Sequence, residues 1–118
     1  MFAAIYRWEV DPDREREFKE GWYRTSMTVR RRYGSLGSRL HRTDSGLFVS
    51  YGRWHTYKDR EAYRANLAVD PEGFRLMQTS IMSELPTIDM TIIGNLLDEH
   101  VPQGLYKDQG LSSDGQAE

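Results

Sequence analysis

The chain has 118 residues, a formal net charge of −2 and no cysteine. That length is one domain's worth, enough to bury roughly two-thirds of the unfolded surface. The charge gives no pull toward nucleic acid, and without thiols there can be no disulfide or thiolate metal site, which fits a reducing cytoplasm. No run approaches the apolar length of a membrane span, and Met1 leads into a strand rather than a signal peptide.

Residues Phe2 to Val10 alternate, with Phe2, Ala4, Tyr6, Trp8 and Val10 on one side and Ala3, Ile5, Arg7 and Glu9 on the other. Aromatic and β-branched residues at this spacing predict a strand. Asp11-Pro12-Asp13 then stops the strand and starts a helix, since Asp11 can cap and proline suits the first helical position. Phe18, Trp22, Thr25, Val29 and Tyr33 form its apolar stripe, and Arg30-Arg31-Arg32 precede the stop at Gly34. That basic run reads as a solvated helix end complementing the dipole.

Tyr33 to Trp54 reads as a hairpin turning on Asp44-Ser45-Gly46. A three-residue loop pairs Thr43 with Leu47, Arg42 with Phe48, His41 with Val49 and Arg39 with Tyr51. One face then carries Arg39, His41, Leu47, Val49, Tyr51 and Arg53; the other carries Leu36, Leu40, Phe48 and Trp54. Both faces are substantially apolar, so both need covering, and a second copy is expected to cover one of them. Thr56 with Asp59 resembles a capping box opening a second helix, which carries Ala62 and Tyr63 and loosens near residues 66–68. Asp70-Pro71 starts a further helical stretch whose stripe is Phe74, Met77, Ile81 and Leu85, ending before Pro86. Thr87 to Leu97 is expected to be the last strand, and residues 102–118 a polar tail, flexible or wrapped over a partner, after a domain at 1–101. The order predicts an α+β, ferredoxin-like βαββαβ fold with an antiparallel sheet.

FAAIYRWEVDPDRE, YGSLGSRLHR and SYGRWHTYKDREAYRANL resemble the antibiotic biosynthesis monooxygenase domain over about residues 2–97, above all in a tryptophan (Trp54) ending the third strand and running straight into a helix. The resemblance implies a dimeric α+β barrel with one pocket per subunit between sheet and helices. It also implies oxidation of a small aromatic substrate (a phenol, hydroquinone or polyketide) by molecular oxygen, with no cofactor and no metal. The alternative within the same fold is a non-catalytic dimer that binds a small aromatic ligand. Haem-degrading members place an asparagine in strand one and a histidine in the helix after the tryptophan. Here the corresponding places hold Tyr6, and Tyr63 with Arg64, leaving no imidazole to ligate iron.

Cofactor-free oxidation needs a base to deprotonate the substrate and a cationic or hydrogen-bonding partner for the anion. His41 with Arg39 and Tyr51 on one hairpin face is the constellation expected to supply both, while Tyr6, Trp8, Trp54 and Tyr63 are expected to bind substrate. Each has a plainer reading: Arg39 and Arg53 as dimer salt bridges, Trp54 as a wedge between strand and helix, Tyr6 and Trp8 as barrel filling. RNA-recognition domains share this strand order, and Phe48-Val49-Ser50-Tyr51 follows their aromatic run in part. The missing basic residues before Phe48, the long first helix and the negative net charge argue against nucleic acid as a partner.

Overall fold

A computed structural model describes residues 1–66 and 69–97. It contains β1 (Phe2–Val10), a 3-10 turn (Pro12–Arg14), α1 (Glu15–Tyr33), β2 (Ser35–Arg42), β3 (Phe48–Trp54), α2 (Tyr57–Arg64), α3 (Pro71–Ser80) and β4 (Ile81–Thr91). The strands form one antiparallel sheet in the order β2-β3-β1-β4. This is the ferredoxin-like arrangement, with the helices on one sheet face. No helix among the described residues is long and apolar enough to cross a membrane.

Local chemistry sets the element ends. Asp11 accepts the Asp13 backbone N–H through Oδ1 at 2.9 Å, and Thr56 Oγ1 accepts that of Asp59 at 3.2 Å. Asp70 caps α3 through Gly73 N at 3.2 Å, and the same carboxylate takes a two-pronged contact from Arg24 on α1. The hairpin has the predicted pairing, Arg39 with Tyr51, His41 with Val49 and Arg42 with Phe48. Its loop closes through Thr43 N–H to Leu47 O at 2.8 Å, with Gly46 at φ 91°, where a side chain would be strained.

The end of the chain departs from the expectation. α3 stops at Ser80, and Ile81 and Leu85, predicted as helix stripe, belong to β4, which ends at Thr91 rather than Leu97. The Ser80 hydroxyl donates to Leu76 O, and the Ser80 carbonyl accepts the Asp11 N–H at 2.9 Å, so the chain is pinned to the end of β1 as the strand begins. Pro86 does not mark a helix stop. It sits inside β4, an edge strand, where the pairing with β1 slips between Ile5 and Arg7. Proline is tolerated at such a bulge because no ladder N–H is demanded there, and Arg7 Nη2 donates to its carbonyl at 2.8 Å. The expected tail at 102–118 lies outside the described residues.

Two buried clusters fill the space between sheet and helices. One contains Phe2, Ala4, Val29, Trp54 and Val69; the other contains Trp8, Val10, Phe18 and Phe48. Tyr6 packs against both. α1 and α3 cross closely because Gly21 and Gly73 face each other. A Cβ on Gly21 would lie 2.6 Å from Gly73 O, and one on Gly73 would lie 2.8 Å from Thr25 Oγ1.

Candidate functional site

Between the sheet and the helices lies a cavity of about 400 Å³. That volume lies within the range of small-molecule sites. Alternation on β1 brings Tyr6 and Trp8 to its wall, β3 brings Ser50 and Trp54, and α2 brings Tyr63. The rings are paired: Tyr6 stacks on Trp8 with centroids 6.2 Å apart, and Trp54 stacks on Tyr63 at 5.9 Å. Two aromatic walls of this kind suit a flat aromatic guest.

The polar groups in the wall are mostly donors. Trp54 is 3% exposed and its buried Nε1–H has no hydrogen-bond partner among the described residues. Trp22 Nε1–H donates to Ser50 Oγ at 3.0 Å, which leaves the Ser50 proton free to donate onward. Burial raises the Tyr6 phenol above its ordinary range, partly offset by Arg60. Burial likewise pushes Tyr63 up to about 12. Both are therefore neutral at pH 7 and act as hydrogen-bond donors rather than bases. Among the described cavity-lining residues, Arg64 is the one cation and Glu84 the one carboxylate.

Behind Tyr6 stands a group that the sequence reading missed. Arg60 of α2 is fully buried, its fork held by Asp89 of β4 at 3.0 and 2.7 Å and its Nε–H by Glu61 at 2.9 Å. Nη1 also reaches the Tyr6 oxygen at 3.4 Å. The guanidinium carbon lies 4.9 Å from the Phe2 ring centroid and 5.5 Å from that of Tyr57. Burial alone would lower the Arg60 pKa, but the bonds to Asp89 and Tyr6 outweigh it and hold the value above the ordinary arginine range. The bond from Arg60 in turn lowers the Asp89 carboxyl. Within YKDREAYR this arginine looks like one more solvated charge. The available signal was its spacing, three residues from Tyr57 and three from Tyr63, on the stripe that faces the sheet.

Several solved structures share the fold of this chain. SnoaB from Streptomyces nogalater, a cofactor-independent oxygenase, matches with a TM-score of 0.64 at 17% identity, over 80% of this chain and 95% of that one. A candidate antibiotic biosynthesis monooxygenase from Bordetella bronchiseptica matches with a TM-score of 0.67 at 20% identity, over 78% and 96% of the two chains. Another from Nitrosomonas europaea gives 0.60 at 22% identity, over 82% and 100%. The chain has the fold of the antibiotic biosynthesis monooxygenases. No family model and no curated protein matches its sequence.

Against that fold the predicted site residues divide. Tyr6, Trp8, Trp54 and Tyr63 line the cavity. Arg39, His41 and Tyr51 do not; they stand on the opposite sheet face, where Arg39 and His41 are exposed. There Arg39, Tyr51, Ile5 and Ile88 lie in one row across the four strands, and His41, Val49, Arg7 and Leu85 in the next. The reason is the two-residue period of a strand: Trp54 and Ser50 have even numbers on β3, Tyr51 an odd one, and side chains of opposite parity leave opposite faces. The expected base and its anion partners are thus separated from the cavity by the sheet itself.

Proposed function

We propose that this protein is a cofactor-independent monooxygenase that oxidises a small aromatic substrate of phenol, hydroquinone or anthrone type in the sheet–helix cavity. The observation that carries the reading is a cavity of about 400 Å³ with two stacked aromatic pairs in its wall, Tyr6 on Trp8 and Trp54 on Tyr63. Stacked rings of this kind favour a flat aromatic guest. The likeness to SnoaB in fold supports oxygen chemistry as the use of such a cavity.

In this reading the substrate loses a proton to Glu84, the carboxylate of the wall, and the resulting anion is held by Tyr6 and Ser50. The electron-rich anion then reacts with oxygen directly. For an anthrone-type carbon the balance closes without a reductant: a CH2 group and O2 give a carbonyl and water, both hydrogens coming from the carbon oxidised. Oxygen uptake on a small panel of anthrones and hydroquinones tests the proposal. Uptake by the parent that falls by a factor of about 10²–10⁴ in Glu84→Gln is expected for a general base. Equal rates in parent and variant would remove Glu84 from the role.

A ligand-binding protein without turnover is the second reading, favoured by one observation: no imidazole among the described residues lines the cavity, and His41 lies across the sheet. Tight binding of a panel compound with no oxygen uptake would establish it over the first. In either case we propose that a second copy of the chain covers the opposite face, where Ile5, Tyr51 and Ile88 form an apolar row and Ile88 is 41% exposed.

A further inference from the structure

Arg60 is satisfied twice over by acids. Asp89 takes both prongs of its fork and Glu61 takes Nε–H, so a structural ion pair between α2 and β4 would be complete without Tyr6. The third contact, Nη1 to the Tyr6 oxygen at 3.4 Å, has a chemical consequence of its own. A guanidinium has donors and no acceptor, so the phenol oxygen must accept. Tyr6 keeps its own proton, and among the described residues that proton has no acceptor. Tyr6 also lines the cavity.

We propose that Arg60 is a positioning residue of this site: it holds the Tyr6 oxygen as an acceptor, so that the Tyr6 proton is presented to an oxyanion of the bound ligand. The inference rests on the reading that the cavity holds an aromatic guest, and it adds which guests are preferred. With Tyr6 O–H and Ser50 O–H both donating, the ligand is an ionised phenol or enol rather than a neutral hydrocarbon ring. Asp89 matters at one remove, because its two-pronged grip fixes the plane of the guanidinium and hence the direction of Nη1.

The probes are 4-nitrophenolate, followed by its absorbance, and nitrobenzene, which has the ring but lacks the phenolate oxygen. Both are titrated into the full chain as parent, Tyr6→Phe, Arg60→Gln and the double variant. Loss of one hydrogen bond to a charged oxygen predicts roughly tenfold weaker phenolate binding in Tyr6→Phe, with nitrobenzene unchanged. Arg60→Gln is expected to lose most of the same factor, and to lose nothing further in the Tyr6→Phe background, since it acts through that hydroxyl. Parent-level phenolate binding in Arg60→Gln overturns the proposal. So does an equal weakening of both probes in both backgrounds, which marks Arg60 as a strut alone. If Arg60→Gln does not fold, Arg60→Lys is read instead. It keeps the charge but cannot grip Asp89 and reach Tyr6 in one plane, so an intermediate phenolate affinity is expected and parent-level affinity refutes the role. Failure of the parent to bind either probe refutes the cavity reading itself, a result distinct from phenolate binding that ignores Arg60.

Discussion

Replacing Trp54 tests packing and recognition with one residue and two variants. The side chain is 3% exposed, lies in the cluster with Phe2, Ala4, Val29 and Val69, and stacks on Tyr63. Trp54→Ala therefore removes a large buried ring and is expected to cost about 3–5 kcal/mol. At roughly 4–8 °C per kcal/mol for a domain near this size, the melting temperature should fall by at least about 12 °C. Trp54→Phe keeps most of the packing and removes a donor that has no partner in the free protein. Its cost should stay below about 1.5 kcal/mol, because the lost ring volume is partly offset by no longer burying a bare N–H. Because the Nε1–H is closed off from the cavity, Trp54→Phe should be nearly parent-like both in stability and in binding a phenolate. Urea unfolding at fixed protein concentration and phenolate titration are the two assays; concentration is held constant because a dimer's stability depends on it. An Ala variant that unfolds like the parent would refute the packing argument, and a Phe variant that unfolds as readily as the Ala variant would refute the claim that the ring rather than its N–H carries the stability.

Other outcomes follow from the same geometry. Gly21→Ala should destabilise by about 1–3 kcal/mol in urea, since its methyl would sit 2.6 Å from Gly73 O and 2.8 Å from Met77 Cγ, more than the roughly 1 kcal/mol that alanine brings to a helix. Tyr63, pushed up to about 12 against an unfolded value of 10, binds its proton more tightly when folded. Its contribution is present below pH 10 and lost as pH rises toward 12, amounting to about 3 kcal/mol; Tyr63→Phe should flatten that part of the stability–pH curve. Asp89 runs the other way: its carboxyl is lowered by Arg60, so stability is present above the ordinary carboxylate value and lost as pH falls below it, and Asp89→Asn should remove this acid sensitivity. Light scattering at micromolar concentration should give the mass of a dimer, and a monomer mass would refute the proposed covering of the Ile5–Tyr51–Ile88 face.

Most of the fold was legible because its signals are local. The Asp44-Ser45-Gly46 loop fixes the hairpin register, and Asp11, Thr56 and Asp70 each cap the segment that the sequence assigns to them. The junction at Ser80 was not legible. Phe74, Met77, Ile81 and Leu85 keep a helical spacing across a point where the chain turns into a strand, and what ends the helix is a long-range bond, Asp11 N–H to Ser80 O, that no local pattern announces. Arg60 was hidden for a related reason: burial of a charge depends on partners elsewhere in the chain, here Asp89, which is 29 residues away.

The position of the site was fixed by parity, and parity was available in the sequence. Once the hairpin pairs Arg39 with Tyr51 and His41 with Val49, these residues share one face, and Phe48, Ser50 and Trp54 must share the other. A cavity walled by Trp54 therefore cannot also be walled by His41 from the same hairpin. Sliding the register by one residue would exchange the faces of a whole strand but would also expose Phe48 and Trp54, each now 3% exposed, at a cost no hydrogen bond recovers. Chemistry in this cavity must then be drawn from the helix-facing side of β1, β3 and β4 and from the helices above it. That set contains the hydroxyl donors Ser50, Tyr6 and Tyr63, with one carboxylate at Glu84 among the described residues. A wall rich in donors and poor in bases stabilises an anion better than it creates one. The guest in our proposed reading is an aromatic acidic enough to ionise with modest help, a kind of molecule that can give electrons to oxygen without a cofactor.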